Sequence, residues 1–307
     1  MATFVDASRE PPQAPSRRVW FERPVPGNLE DQGLMGVDMH FHTFHSDARV
    51  KVADALKEAS QRGFRFAITD HNEISGVLEA CRDSRRDLVI PGIEVSASDG
   101  PHVLLYFYAA DELADFYARH VDPYKRDSPY LAIRLSTEEI LERILEYNTI
   151  PSAAHPYGYL VFNRGVGRCV ERELLAPGIF RKFGAVEVIC GSMNRSGNEK
   201  ACRLAARYGL GMVGGTDGHL LFDLGSVLTC APAGDRTEFL DCIAGKRNSV
   251  IGQEKNVLEK GLTGTAVLTR FLPYTLPSLA IHYEQNAPRV TRFCRRAGSA
   301  LHRRRSR

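Results

Sequence analysis

The sequence predicts an α/β fold whose parallel sheet forms either a barrel or a doubly wound layer. Two observations predict it. From Leu34 to about Gly252, short apolar strands alternate with helical patterns. Polar, chemistry-bearing side chains fall where those strands end: His40 and His42, Asp70 and His71, Glu94, His155, Asp217 and His219. In a (β/α) barrel the strands' C-terminal ends form one mouth, so separate motifs of this kind converge there.

Along the chain, residues 1–33 are rich in Pro, Ser and Arg and read as a flexible leader. They lack the basic start and apolar run of a secretory signal. "VDMHFHTFHSD" opens the first strand. "RFAITDHN" is an apolar run ending in polar groups, and "DLVIPGIEVSAS" and "HVLLYFYAA" are rich in strand formers. "LSTEEILERILEYN" has a helical period, with Leu135, Ile140, Leu141, Ile144 and Leu145 on one face. Ser136 followed by Glu139 fits a capping box. "TIPSAAHP" reads as a strand. "AVEVICGS", "NEKACRLAARYGLG" and "MVGGTDGH" read as strand, helix and strand, with Gly209 and Gly211 ending the helix. The divisions expected are a leader over 1–33, a domain over 34–256 and an extension over 257–307.

A chain of 307 residues with 43% hydrophobic and 25% charged residues has the composition of a globular protein with a real core. Its net charge of +3 is unevenly placed: residues 286–307 hold eight arginines and no acid, so the rest carries −5. Seven scattered cysteines without a CxxC pair argue against a disulfide framework and for a reducing, cytoplasmic compartment. No run of 18 apolar residues occurs. "LTGTAVLTRFLPYTLPSLAI" contains Arg270, Pro273 and Pro277, so no transmembrane segment is expected.

On a strand, residues i and i+2 share a face, so His40 and His42 would stand about 6–7 Å apart and can reach one ion. A lone His-x-His is a weak signal. The further motifs change the balance: "ITDHN", "PGIEVS" with Glu94, "DGPHVLLY" with His102, "SAAHPYG" with His155, and "VGGTDGH". Imidazoles and carboxylates without thiolates suit zinc, manganese, iron or magnesium. Asp38 is read as structural, turned away from His40, and His45 as facing solvent or standing behind the ligands.

As an ordered set, "DMHFHTFHSD", "ITDHN", "GIEVS…H", "AHP" and "GTDGH" resemble the PHP (polymerase and histidinol phosphatase) superfamily over roughly residues 34–252. The resemblance implies a distorted (β/α)7, TIM-like barrel holding two or three divalent ions. It implies that His40, His42, Glu94 and Asp217 surround the first ion. Glu94 bridges to a second, completed by His102 and His155, and Asp47, His71 and His219 hold a third. The activity implied is hydrolysis of a phosphomonoester by a metal-bound hydroxide, with Glu94, Asp217 and His219 as the catalytic residues. Two departures stand out: "SDA" where the family often has "SDG", and "TDHN" where it has "TDHD". Asn72 is expected to change hydrogen bonding near the third ion rather than metal retention.

Arg134, Arg164 and Arg195 are candidates to bind the substrate's phosphate, since a guanidinium can grip it with two hydrogen bonds. Residues 111–134 read either as a lid or as an ordinary solvated segment. The Arg-rich tail suits an anionic partner, membrane surface or nucleic acid, or is a solubilising end. In it Val290, Phe293, Ala297 and Leu301 recur at helical spacing. The expected function is a phosphoesterase acting on a small phosphorylated metabolite or nucleotide, cytoplasmic or peripheral at a membrane. The alternatives are a nuclease trimming short oligonucleotides and a non-catalytic, metal-stabilised interaction module.

Overall fold

The computed structural model describes residues 18–158 and 164–287. Ten strands form one curled sheet: β1 (Val19–Trp20), β2 (Met35–Phe41), β3 (Arg65–Ile68), β4 (Val89–Ser96), β5 (His102–Phe107), β6 (Thr149–Ala153), β7 (Ala185–Cys190), β8 (Gly211–Gly215), β9 (Val227–Ala231) and β10 (Ser249–Gly252). Their order is β1-β10-β9-β2-β3-β4-β5-β6-β7-β8. The pairs β2–β3, β3–β4, β6–β7 and β7–β8 are parallel. The parallel pattern expected is interrupted twice: β5 runs antiparallel to both β4 and β6, and β9 to both β2 and β10. For β5 the reason is local. The link "ASDGP" is too short for a crossover helix, and Gly100 takes φ 117°, open to glycine alone.

The helices pack outside the sheet by their periodicity. Val52–Arg62 buries Val52, Ala55, Leu56 and Ala59, one helical face, and ends at Gly63 in the left-handed region (φ 71°). Thr137–Arg143 starts with the expected capping box: Ser136 Oγ accepts the Glu139 N–H, and Glu139 accepts the Ser136 N–H at 2.8 Å. Leu145, expected on the buried face, is 80% exposed. The helix tightens to a 3-10 turn at Ile144–Glu146, and three residues per turn rotate Leu145 outward. The helix Arg195–Tyr208 ends at Gly209, whereas Gly211 already belongs to β8.

Barrel closure is made at β8. Gly215 lies so close to β2 that a Cβ there would stand 2.3 Å from the His40 Cβ, which only glycine avoids. Asp38 stitches this seam, accepting the backbone N–H groups of Thr216 and Gly225, both at 2.9 Å. Burial pushes its carboxyl up to about 6, against the lowering effect of these donors. Asp38 is therefore structural, as expected. Its carboxylate also accepts the His40 backbone N–H at 3.3 Å, beside a register shift in β2 between Asp38 and Phe41.

The expected leader is structured in its second half. Val19–Trp20 pairs with β10, and Pro26–Asp31 is a short helix. The expected extension is also structured where described: a helix Val257–Phe271, a 3-10 turn Leu272–Tyr274 and a helical run over 275–287. These pack on the body, with Phe271 and Ile281 against Leu131 and Ala132. The eight tail arginines, with Val290, Phe293, Ala297 and Leu301, lie outside the described residues. No helix among the described residues is long and apolar enough to cross a membrane.

Candidate metal centre

Nine of the side chains singled out in the sequence meet at one end of the curled sheet. His40, His42, Asp47, His71, Glu94, His102, His155, Asp217 and His219 are all buried. Glu94, near the end of β4, is the hub. Its Oε1 is 3.0 Å from both His102 Nδ1 and His155 Nε2. Its Oε2 faces His71 Nδ1 at 2.9 Å, His40 Nε2 at 3.4 Å and His42 Nε2 at 3.5 Å. The two oxygens of one carboxylate thus face two different sets of imidazoles. Asp217 stands across from it, 3.3 Å from His42 Nε2 and 3.6 Å from His40 Nε2. Asp47 approaches His219 Nε2 at 3.1 Å and His71 Nε2 at 3.6 Å.

The donor set fits divalent cations. Ligand atoms of His40, His42 and Glu94 lie within 4.8 Å of one another, as do those of His71, Glu94 and His102, and those of His42, Asp47, His71 and His219. Glu94 Oε2 and His42 Nδ1 are buried without a hydrogen-bond partner, a state costing roughly 1–3 kcal/mol unless a cation relieves it. His219 Nδ1 sits 3.1 Å from the Asp217 carbonyl, which can only accept, so Nδ1 carries a proton and Nε2, 3.1 Å from Asp47, is the atom that faces the centre.

The electrostatics carry the same demand. Burial opposes ionisation of Glu94 and Asp217, yet the surrounding imidazoles hold both carboxyls well below their usual range. Burial likewise disfavours charge on His71, but Glu94 and Asp47 outweigh it and hold the ring up to about 9. Burial pushes His42 and His102 down to about 3. Cys190 lies 4.0 Å from Asp217, and burial pushes its thiol well above the usual range. Three residues at this end hold positive φ without being glycine: Asn72 (48°), His155 (25°) and Asp217 (48°). Such backbone costs of order 1–3 kcal/mol per residue and is held by the packing around it.

The arginine candidates divide. Arg164 lines the pocket above the cluster, and its carbonyl accepts the His102 N–H at 2.8 Å. Arg195 does not reach that pocket: it pairs with Glu254 at 2.8 Å and covers the Phe21 ring. Arg134 is likewise elsewhere, exposed and bonded to the Lys125 carbonyl. Residues 111–134 pair their cations with local acids, Lys125 with Glu73 and Arg126 with Glu284, rather than presenting them to the pocket. His45 pairs with Glu79 at the surface. Asn72 uses its amide fully, donating to the Pro129 and Leu131 carbonyls and accepting the Ser96 N–H.

Several functional neighbours were not apparent in the sequence. Glu187 on β7 accepts from His40 Nδ1 at 3.0 Å and from the His155 N–H at 2.6 Å. Its signal was present, a single acid inside the apolar strand "AVEVIC". Ser192 donates to Asp217 Oδ2 at 2.6 Å. Lys255 is buried, with Nζ 2.9 Å from the Asp217 carbonyl and 3.1 Å from Asp223. Lys260, Thr263, Gly264 and Val267, on the helix after β10, wall the pocket, which encloses about 270 Å³.

The PHP domain family matches residues 38–160, and the PHP-associated family matches residues 195–245. No curated protein matches the chain. Among solved structures, a two-domain Bacteroides vulgatus protein containing a predicted PHP-like metal-dependent phosphoesterase is similar at TM-score 0.52 and 15% identity. The similarity spans 78% of this chain and 69% of that one. The lesion-specific endonuclease PfuEndoQ from Pyrococcus furiosus is similar at TM-score 0.54 and 16% identity, over 71% and 57%. PsfC from Pseudomonas syringae is similar at TM-score 0.51 and 17% identity, over 77% and 98%. At these identities the likeness is one of fold.

Proposed function

The chain belongs to the PHP superfamily, and from that premise we propose that it is a metal-dependent phosphoesterase hydrolysing a small phosphomonoester. The observation that carries this reading is the focusing of nine buried imidazole and carboxylate groups around Glu94, beneath a pocket of only about 270 Å³.

His40, His42, Glu94 and Asp217 would hold one divalent ion, Glu94, His102 and His155 a second, and Asp47, His71 and His219 a third. Such ions acidify a water and neutralise phosphate charge, which a doubly anionic ester requires. The protein's own groups then have distinct tasks. Glu187 fixes the His40 ring, so that Nε2 faces the centre. Ser192 and Lys255 fix the carboxylate and the carbonyl of Asp217. Arg164, at the pocket wall, is placed to hold a phosphate oxygen during binding. Lys260, Thr263 and Val267 narrow the mouth. That narrowing favours a small ester over a polynucleotide strand, which needs a long basic groove.

The test is a hydrolysis screen of the metal-reconstituted protein, with metal content measured on the same sample. It should include nucleoside 3′,5′-bisphosphates, sugar phosphates, histidinol phosphate and short oligonucleotides. Turnover of a monoester with two or three ions bound supports the reading. Turnover of oligonucleotides alone moves the protein to the nuclease class. Bound metal without turnover of any ester makes it an interaction module.

A further inference from the structure

A second cavity of about 290 Å³ opens from the first. The two share Arg164, Gly264 and Val267. Unlike the first, it is walled mainly by apolar side chains, among them Leu268, Phe271, Leu272 and Leu279. Leu268, Leu272 and Leu279 are 62%, 63% and 60% exposed. Scattered surface leucines need no explanation, but several lining one trough that adjoins a polar pocket mark a binding groove. Arg164 stands at the junction, lining both cavities. Gly264 lines both cavities, and a Cβ added there would project into open space, with no protein atom within 4 Å. Glycine inside a helix costs about 1 kcal/mol relative to alanine, so its place at this junction goes against the helix's own preference.

We propose that the substrate of this site is a phosphomonoester with an apolar alkyl or aryl group, its phosphate entering the metal pocket while the apolar part lies along the trough beside Leu268, Leu272 and Leu279. The inference rests on the hydrolytic reading above and adds the substrate class. A sugar or nucleotide would place hydroxyls against leucines, whereas an alkyl chain loses water on both sides.

The experiment uses the full-length, metal-reconstituted protein and two paired series. The first is hydrolysis of ethyl, butyl and octyl phosphate below their micellar concentrations. The second is calorimetric binding of ethylphosphonate and octylphosphonate, which cannot be hydrolysed. Full burial of a methylene favours binding about fourfold, and a half-open trough gives about twofold. Between ethyl and octyl, kcat/KM and affinity are then expected to rise on the order of 50-fold. Two variants should each bring the ratio below about fivefold: Gly264→Leu, which fills the passage while improving the helix, and the exposed pair Leu272→Ser/Leu279→Ser. A wild-type ratio near one in both series, or a ratio that neither variant lowers, overturns the inference. The two readings separate cleanly. Hydrolysis with a flat chain-length profile leaves the enzyme and removes the trough's role. Chain-length-dependent phosphonate binding, lost in both variants but without turnover of any ester, keeps the subsite and removes the hydrolytic reading.

Discussion

Replacing Glu187 by glutamine tests whether the centre depends on a residue that would touch no ion. The carboxylate is fully buried and each oxygen has its own donor: His40 Nδ1 at 3.0 Å on Oε1, and the His155 N–H at 2.6 Å on Oε2. Glutamine keeps the shape but offers one oxygen and one NH₂. If the oxygen serves His155, the NH₂ faces His40 Nδ1. The ring then moves its proton to Nε2, the atom that faces Glu94 and Asp217. If the oxygen serves His40, the amide opposes a backbone N–H. Either arrangement leaves a buried donor unpaired or turns the imidazole's lone pair from the ion, at about 1–3 kcal/mol. Outer partners of this kind are worth roughly 10–100-fold in metal affinity or activity. The expected result for Glu187→Gln is a loss of that size in metal affinity, measured by chelator competition, with a comparable fall in turnover. Glu187→Asp, which keeps the charge, should recover part of it. Wild-type metal affinity in Glu187→Gln would refute the idea that β7 orients His40.

Three further outcomes are expected. Glu94→Ala should lower metal content by more than one ion and reduce turnover far more than the 10–100-fold of an outer partner, while Arg195→Ala, whose side chain is tied to Glu254, should leave turnover close to wild type; elemental analysis and steady-state kinetics check both. Asn72→Asp removes the donors to the Pro129 and Leu131 carbonyls and should cost about 2–4 kcal/mol in thermal or urea unfolding, with metal content retained. A chain ending at Ala287 should keep turnover on a small phosphoester and lose binding to anionic vesicles at low salt, since each basic residue near such a surface contributes about 1 kcal/mol; unchanged vesicle binding would leave the tail without this role.

Most of the candidate ligands were legible in the sequence because their motifs couple an apolar strand to a polar end, and the barrel brings strand ends together whatever their separation in sequence; Asp47, beyond the end of β2, came from the family resemblance alone. His40 and Asp217 are far apart in the chain yet 3.6 Å apart in space. What sequence could not give was the direction of individual side chains. Asp38 was read as structural, but not as the residue whose carboxylate would hold the Thr216 and Gly225 N–H groups across the seam. Two of the three arginines, Arg134 and Arg195, lie away from the pocket for a related reason. Position in a loop after a strand does not reveal which acid claims the guanidinium, and Glu254 claims Arg195. Helix Val257–Phe271 was hidden by its composition: with none of its residues buried, its pattern marks no face as the one that meets the barrel.

That helix explains why family membership and substrate identity come apart here. All nine candidate ligands fall within residues 38–160 and 195–245, the stretches that match the two families. The rest of the pocket wall does not. Arg164, Ser192, Lys255, Lys260, Thr263, Gly264 and Val267 lie outside both matches. A centre built on strand ends fixes what kind of bond can be attacked, because charge and geometry there are set by the barrel. The size and polarity of the space above it are set by the helix that closes the mouth. Two chains can therefore share every ligand and differ in substrate, and the side chains that would decide between a polar and an apolar ester are those of the helical segment beyond β10.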